Sequence, residues 1–224
     1  MKPAAFFAAF LLALPAAAQE GVAPPVEAGD ASPVLVSYGF DEEVPTGPDT
    51  LRIYQNARGH VVLSRTFPWS GSSSVELKDV PGDGDFPELQ GFFPKVSDGV
   101  LFLHFALMVP DAGEELNIAL AGPRGFRLGR DGIAFWLSTR DGWLVHTSDS
   151  IPRRLFEVQP FTWYGITVEY RVEAGRYDLS VAREGEEKPF LERSDQPNAA
   201  SQPRSAVHLF SFIGDNGDDR SAAV

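Results

Sequence analysis

Between residues 163 and 181 apolar and polar residues alternate on either side of a short break. Tyr164, Ile166, Val168 and Tyr170 fall on one face of an extended chain, and Gly165, Thr167, Glu169 and Arg171 on the other. Glu173-Ala174-Gly175 interrupts the run, after which Tyr177, Leu179 and Val181 alternate with Asp178, Ser180 and Ala182. Only a strand repeats its side chains every two residues. The stretch therefore predicts an antiparallel hairpin with one buried face.

Shorter runs of the same kind recur along the chain. Strands are predicted at 34–40, 51–54, 61–63, 74–77, 89–93, 116–120, 133–137, 143–145, 154–158, 190–191 and 207–213. Residues 100–109 are continuously apolar between Asp98-Gly99 and Pro110-Asp111, which predicts a central strand covered on both faces. Asp131-Gly132 and Asp141-Gly142 each precede an apolar run, as hairpin turns do. No amphipathic helix of more than two turns stands out. Many short strands with turn residues between them predict an all-β fold, a jelly-roll β-sandwich of two antiparallel sheets. The 17 Phe and 4 Trp suit strands better than helices.

The start of the chain reads differently. Met1-Lys2-Pro3 is positively charged, residues 4–14 are an apolar run too short to span a bilayer, and Ala16-Ala17-Ala18 is a small-x-small cleavage site. Residues 1–18 are read as a signal peptide and 19–33, rich in Pro, Ala, Gly and acid, as a flexible linker. The sandwich domain is expected over 34–224, in a protein secreted or held in a periplasm, with a bacterial source suggested by the Ala-rich leader. The net charge of −12 becomes −13 once Lys2 leaves with the leader. Such a surface repels nucleic acid and anionic lipid. The absence of cysteine removes disulfides, thiolate metal sites and Cys nucleophiles.

The later half resembles the concanavalin A-like lectin and glucanase superfamily, and within it the laminin G-like jelly rolls. Arg130-Asp131-Gly132-Ile133-Ala134-Phe135-Trp136-Leu137 resembles that family's Gly-led central strand. Trp163-Tyr164-Gly165 with Tyr177-Asp178-Leu179 is similar to its hairpin, and Phe212-Ile213-Gly214-Asp215 to the strand before its last. Tyr38-Gly39-Phe40-Asp41 and Ser70-Gly71-Ser72-Ser73-Ser74-Val75 resemble the opening of related carbohydrate-binding modules. The resemblance implies a further last strand near the first, but the sequence stops at Val224, within five residues of an acidic loop. Either 221–224 begin a strand that is cut off or the sequence is a piece of a longer protein. The second reading is favoured, and it predicts an exposed sheet edge beside 34–40.

Four chemistries are open to this sequence. Asp215, Asp218 and Asp219 crowd one loop, and Asp41 and Glu42 follow the first predicted strand; together they could hold one structural calcium, which takes six to eight oxygens. Solvated turns explain the same residues. Glycoside cleavage needs two facing carboxyl groups, and the Glu-x-Asp-x-x-Glu strand of the jelly-roll glucanases is missing. Polysaccharide lyases of similar fold use a Tyr and a His. Tyr170 and Tyr177 faintly match their Tyr-rich strand, but His60, His104, His146 and His208 are scattered. Sugar binding needs exposed rings, and Trp69 and Trp143, at turns, are the candidate ligand-binding pair, with Trp136 and Trp163 available. The expectation is a secreted, non-enzymatic binding or accessory module for carbohydrate or another extracellular partner, without a membrane span. The alternatives are a polysaccharide lyase or glycoside hydrolase, and an architectural N-terminal domain of a larger exported protein.

Overall fold

A computed structural model describes residues 5–8, 34–47, 50–55, 59–80, 86–113, 115–123, 132–201 and 205–215. The described residues form fourteen strands and no helix. In chain order these are β1 (Ala5–Ala8), β2 (Leu51–Tyr54), β3 (His60–Ser64), β4 (Ser74–Lys78), β5 (Glu88–Val96), β6 (Val100–Met108) and β7 (Glu115–Ala121). They continue as β8 (Ile133–Arg140), β9 (Trp143–Ser148), β10 (Ile151–Glu157), β11 (Tyr164–Arg171), β12 (Arg176–Arg183), β13 (Leu191–Pro197) and β14 (Val207–Asp215).

Two seven-stranded antiparallel sheets face each other. The first runs β13-β12-β11-β6-β1-β4-β3 and the second β10-β9-β8-β7-β14-β5-β2. The predicted hairpin is β11–β12, in register from Tyr164 opposite Arg183 to Arg171 opposite Arg176. Gly175 closes its turn at φ 60°, a conformation open to glycine. Tyr164, Ile166, Val168 and Tyr170 are fully buried, as are Tyr177 and Val181. Each such side chain contributes roughly 1.5–3 kcal/mol by leaving water. From the second sheet, Phe135 meets Tyr177 edge-on at 5.1 Å and Phe212 meets Phe105 at 5.5 Å. The core lies between the sheets along such contacts.

Several expectations need correction. Residues 34–40 form no strand. Tyr38 and Phe40 are buried, but they pack by their side chains, Tyr38 against Phe210 at 6.3 Å, while the backbone joins no ladder. The sheet edges are instead β13 and β3 in one sheet and β10 and β2 in the other. β6 is central but not covered on both faces throughout, because Val100 and Phe102 are 48% and 47% exposed. β13 extends well past 190–191: as an edge strand it leaves Glu192, Arg193, Ser194 and Asp195 exposed, so no apolar alternation marks it. The hairpin at Asp141-Gly142 forms as expected, with φ of 52° and 81°, whereas Asp131 and the 19–33 segment lie outside the described residues. Ala5–Ala8, read from sequence as part of the leader, stands as a strand between β4 and β6.

Candidate functional site

The outward face of the second sheet is polar where the outward face of a covered sheet would be apolar. In β14, Phe210 and Phe212 turn inward and Ser211 outward; in β7, Leu116 and Ile118 turn inward and Asn117 outward. Register aligns the outward positions. One row runs Arg52, Gln90, Ser211, Ala119, Trp136, Thr147 across β2, β5, β14, β7, β8 and β9. At about 4.8 Å per strand that row is roughly 24 Å long. A neighbouring row runs Tyr54, Glu88, Ile213, Asn117, Ser138, Val145.

Hydrogen bonds knit the band. The Glu88 carboxylate accepts from Ser211 Oγ at 2.5 Å and from Gln90 Nε2 at 2.7 Å. Only 7% of Glu88 is exposed, and burial raises its pKa against the opposing pull of those two donors. Trp136 Nε1 donates to Asn117 Oδ1 at 3.0 Å, and Asn117 Nδ2 to Glu115 Oε1 at 3.5 Å. Arg140 closes on the same Glu115 oxygen at 2.7 Å. Aromatic rings flank the band: Arg154 lies 5.1 Å over the Trp143 ring and Arg52 4.6 Å over Phe92. Tyr54 is 45% exposed at the β2 edge. Ser211, Asn117 and Glu88 are themselves buried and hold this layer in place, while Arg52, Tyr54, Gln90, Trp136, Trp143 and Thr147 are at least partly exposed and are the groups a hydroxyl-rich ligand could meet.

No family model matches the chain, and no curated protein matches it. Among solved structures, one named sialidase superposes with a TM-score of 0.55 at 13% identity, over 77% of this chain and 14% of that one. This chain therefore spans only a small part of that protein. A lectin, UEA-II complexed with galactose, gives 0.49 at 10% identity over 82% and 93% of the two chains. The catalytic domain of a GH131 β-glucanase from Podospora anserina gives 0.49 at 14% over 73% and 72%. The fold is an all-β jelly-roll sandwich of two antiparallel sheets, and the superposition at 0.55 shows a shared fold alone.

In this jelly roll the two tryptophans singled out from sequence lie on different sheets. Trp143, half-buried, opens β9 on the polar band, opposite Arg140. Trp69 packs edge-on to Trp163 at 5.9 Å and lies 3.6 Å from the Cβ position of Gly165, on the outward side of the first sheet with Phe67 and Met108. The pair does not form one platform. Trp136 is on the band but spends its N–H on Asn117.

Tyr170 and Tyr177, the residues nearest a lyase pattern, point into the core. Tyr170 Oη donates to Asn198 Oδ1 at 2.9 Å, and Tyr177 Oη lies 3.0 Å from His146 Nδ1. His104 pairs with Thr167 on the first sheet, at 2.9 Å. These Tyr and His residues do not converge on an open site.

Of the calcium candidates, Asp218 and Asp219 lie outside the described residues, and Asp215 is placed as the last residue of β14. Asp41 Oδ1 accepts the Ser72 N–H at 2.7 Å and sits where a Cβ on Gly71 would fall, 2.0 Å away. Glu42 is exposed. Among the described residues no three acids or histidines converge on a metal position, so these alone do not fit calcium. Asp41→Ala is expected to cost about 0.5–1.5 kcal/mol by removing the acceptor that ties this exposed turn to residue 41. Urea unfolding with calcium and with chelator checks this; the cost should be the same in both.

Glu88, Gln90, Asn117 and Ser211 were not singled out from sequence. Their signal is one polar residue at each outward position of an otherwise apolar strand, and a surface strand shows the same signal.

Proposed function

We propose that this protein is an exported carbohydrate-binding module that holds its ligand on the outward face of the second sheet and does not cleave it. The observation that carries this reading is the set of partly exposed groups from Tyr54 through Gln90, Trp136 and Thr147 to Trp143, seated on a buried layer in which Glu88, Ser211 and Asn117 are hydrogen-bonded in place. Sugars offer hydroxyls to such groups and C–H faces to rings. The leader supports export. Similarity to a sialidase supports the fold in which the band is built, and the lectin in the comparison is described in complex with galactose.

Cleavage has less support. Glu88 and Glu115 lie two strands and two residues apart in register, which puts their Cα atoms about 12 Å apart. Glu115 is held by Arg140 and Asn117. A hydrolase needs two carboxyl groups free to face one bond.

The test is retention of the purified chain on columns of neutral and acidic polysaccharides, first with calcium and then with chelator, with release of reducing ends measured in the same fractions. Retention without release is expected. Trp143→Ala should weaken retention by up to about tenfold, since one stacked ring at the edge of a contact is worth about 0.5–1.5 kcal/mol. Trp69→Ala should leave retention unchanged and lower stability, because its ring packs on Trp163. A folded chain retained on no glycan sinks the binding reading. Reducing ends that disappear with Glu88→Gln sink the non-enzymatic part.

A further inference from the structure

β10 and β13 are edge strands of opposite sheets, and they flank the same side of the sandwich. At one end of that side the Asp149 N–H donates to the Asn198 carbonyl at 2.7 Å and the Ser150 N–H to the Ala199 carbonyl at 2.6 Å, which ties the turn before β10 to the segment after β13. At the other end the Phe156 ring of β10 meets Phe190, just before β13, at 4.9 Å. Between these closures the two edges face each other across the roughly 10 Å that separates packed sheets.

Two arginines occupy the middle of this cleft. Arg153 pairs with His146 in the β9–β10 ladder, and Arg193 with Leu179 in the β12–β13 ladder. Directly paired residues share a face of their sheet. His146 and Leu179 are buried between the sheets, so both arginines leave the backbone toward the gap, and as edge residues both stay exposed. The hydrogen-bonded His146 and Tyr177 lie behind them. Both guanidinium charges act on the His146 ring, Arg153 more strongly than Arg193.

No carboxylate answers these two charges among the described residues. The arginine ion pairs there are made by Arg140, Arg171, Arg176 and Arg183. Asp195 is held by Arg176 and Arg171, and Glu192 pairs with Ser180 on the opposite face of its strand. Arg193 Nη1 donates to the Glu192 carbonyl at 2.8 Å, which leaves its other N–H groups for a ligand. Inward charges on edge strands guard against unwanted pairing, but that role needs no second cation facing the first. Facing guanidinium forks in a chain of net charge −12 match an anion with several oxygens.

We propose that this cleft binds an oxyanion between Arg153 and Arg193, the sulfate or carboxylate group of an acidic polysaccharide. The polysaccharide part rests on the binding reading above. The two sites adjoin, because Arg154, the next residue of β10, lies on the other face over the Trp143 ring. An acidic chain crossing the β10 edge meets Trp143 on one side and the cleft on the other.

Inorganic sulfate tests the cleft without the sugar. Near neutral pH, added sulfate should shift the NMR ring resonances of His146 and saturate, while chloride at equal ionic strength should not. Arg153→Gln combined with Arg193→Gln should abolish the response. Columns of dextran sulfate and of polygalacturonate, beside plain dextran, test the glycan and tell a sulfate ester from a carboxylate. Retention on a charged column beyond that on dextran is expected, although the net charge of the chain opposes it. The double variant should weaken that retention about tenfold. Arg65→Gln, at an exposed residue just past β3 on the far edge of the first sheet, should change it little. An unchanged thermal midpoint checks that the double variant is folded. The proposal is overturned if sulfate moves His146 no more than chloride does, if neither charged column retains the chain beyond dextran, or if the folded double variant is retained as well as the parent. Loss of the Trp143→Ala effect alone counts against the band and not against the cleft.

Discussion

Gly91→Ala is expected to destabilise the sandwich by about 3 kcal/mol or more, at the upper end of overpacking costs. Gly91 stands directly opposite Phe210 in the β5–β14 ladder, and the phenyl ring lies across it. A Cβ at Gly91 would fall 2.0 Å from Phe210 Cζ and 2.5 Å from both Cε atoms. The ring cannot swing aside: Phe212 meets it at 5.9 Å and Tyr38 at 6.3 Å, and Phe210 is 3% exposed. The strand cannot slide either, because Gly91 also pairs with Leu51 of β2. Urea unfolding of the variant checks the cost. A double-mutant cycle identifies its source: in a Phe210→Ala background, itself about 3–5 kcal/mol less stable, adding Gly91→Ala should cost under about 1 kcal/mol more. An alanine variant as stable as the parent would show that the ring does not rest on Gly91.

This contact explains what the sequence could and could not reveal. The inward faces were legible in 163–181 and 74–77, because period-two alternation there is a direct consequence of strand geometry and a one-sided core. Pairing partners were not. Gly91 reads as a neutral gap in an apolar run, and only register across to Phe210 shows why glycine stands there. Residues 34–40 have the alternation of a strand, and Tyr38 and Phe40 do bury. Burial of alternate side chains does not require the backbone to join a ladder, and composition cannot tell the two apart. β13 failed in the opposite sense: an edge strand held by backbone bonds and by the Asp178, Arg171, Asp195 and Arg176 cluster needs no apolar face. The polar band was missed for a related reason. Ser211, Asn117 and Glu88 look like the outward positions of any surface strand. What distinguishes them is that Ser211 is fully buried and Glu88 nearly so, and burial of an outward position depends on what the rest of the chain lays over it. The placing of Trp69 was beyond the sequence for the same reason, since its partner Trp163 is nearly a hundred residues away.

The second large effect is a loss of stability in mild acid that originates in His146. His146 comes from β9 and Tyr177 from β12, so their contact at 3.0 Å joins the two sheets through the core. Only 3% of His146 is exposed. Burial, and then the charges of Arg153 and Arg193, lower its pKa to about 4. The folded chain therefore keeps the ring neutral at pH values where the unfolded chain protonates it. Stability from this group is fully present above the ordinary histidine value near 6.5, and it falls as pH drops from there toward 4. The loss reaches about 2 kcal/mol by pH 5, equal to a drop of roughly 4–8 °C in the unfolding midpoint for a domain of this size. His104 and His208, also lowered by burial, act in the same direction. Glu88 acts against them: its raised pKa means the fold holds a proton more tightly than the unfolded chain, which favours the fold in acid. The variant separates these contributions. His146→Gln keeps a hydrogen-bonding group near Tyr177 but does not titrate, so its midpoint should fall less than the parent's between pH 7.5 and pH 5, even if it starts lower. Parallel pH profiles for the two proteins would rule out His146 as the source, and the acid sensitivity would then belong to the half-buried His104 and His208.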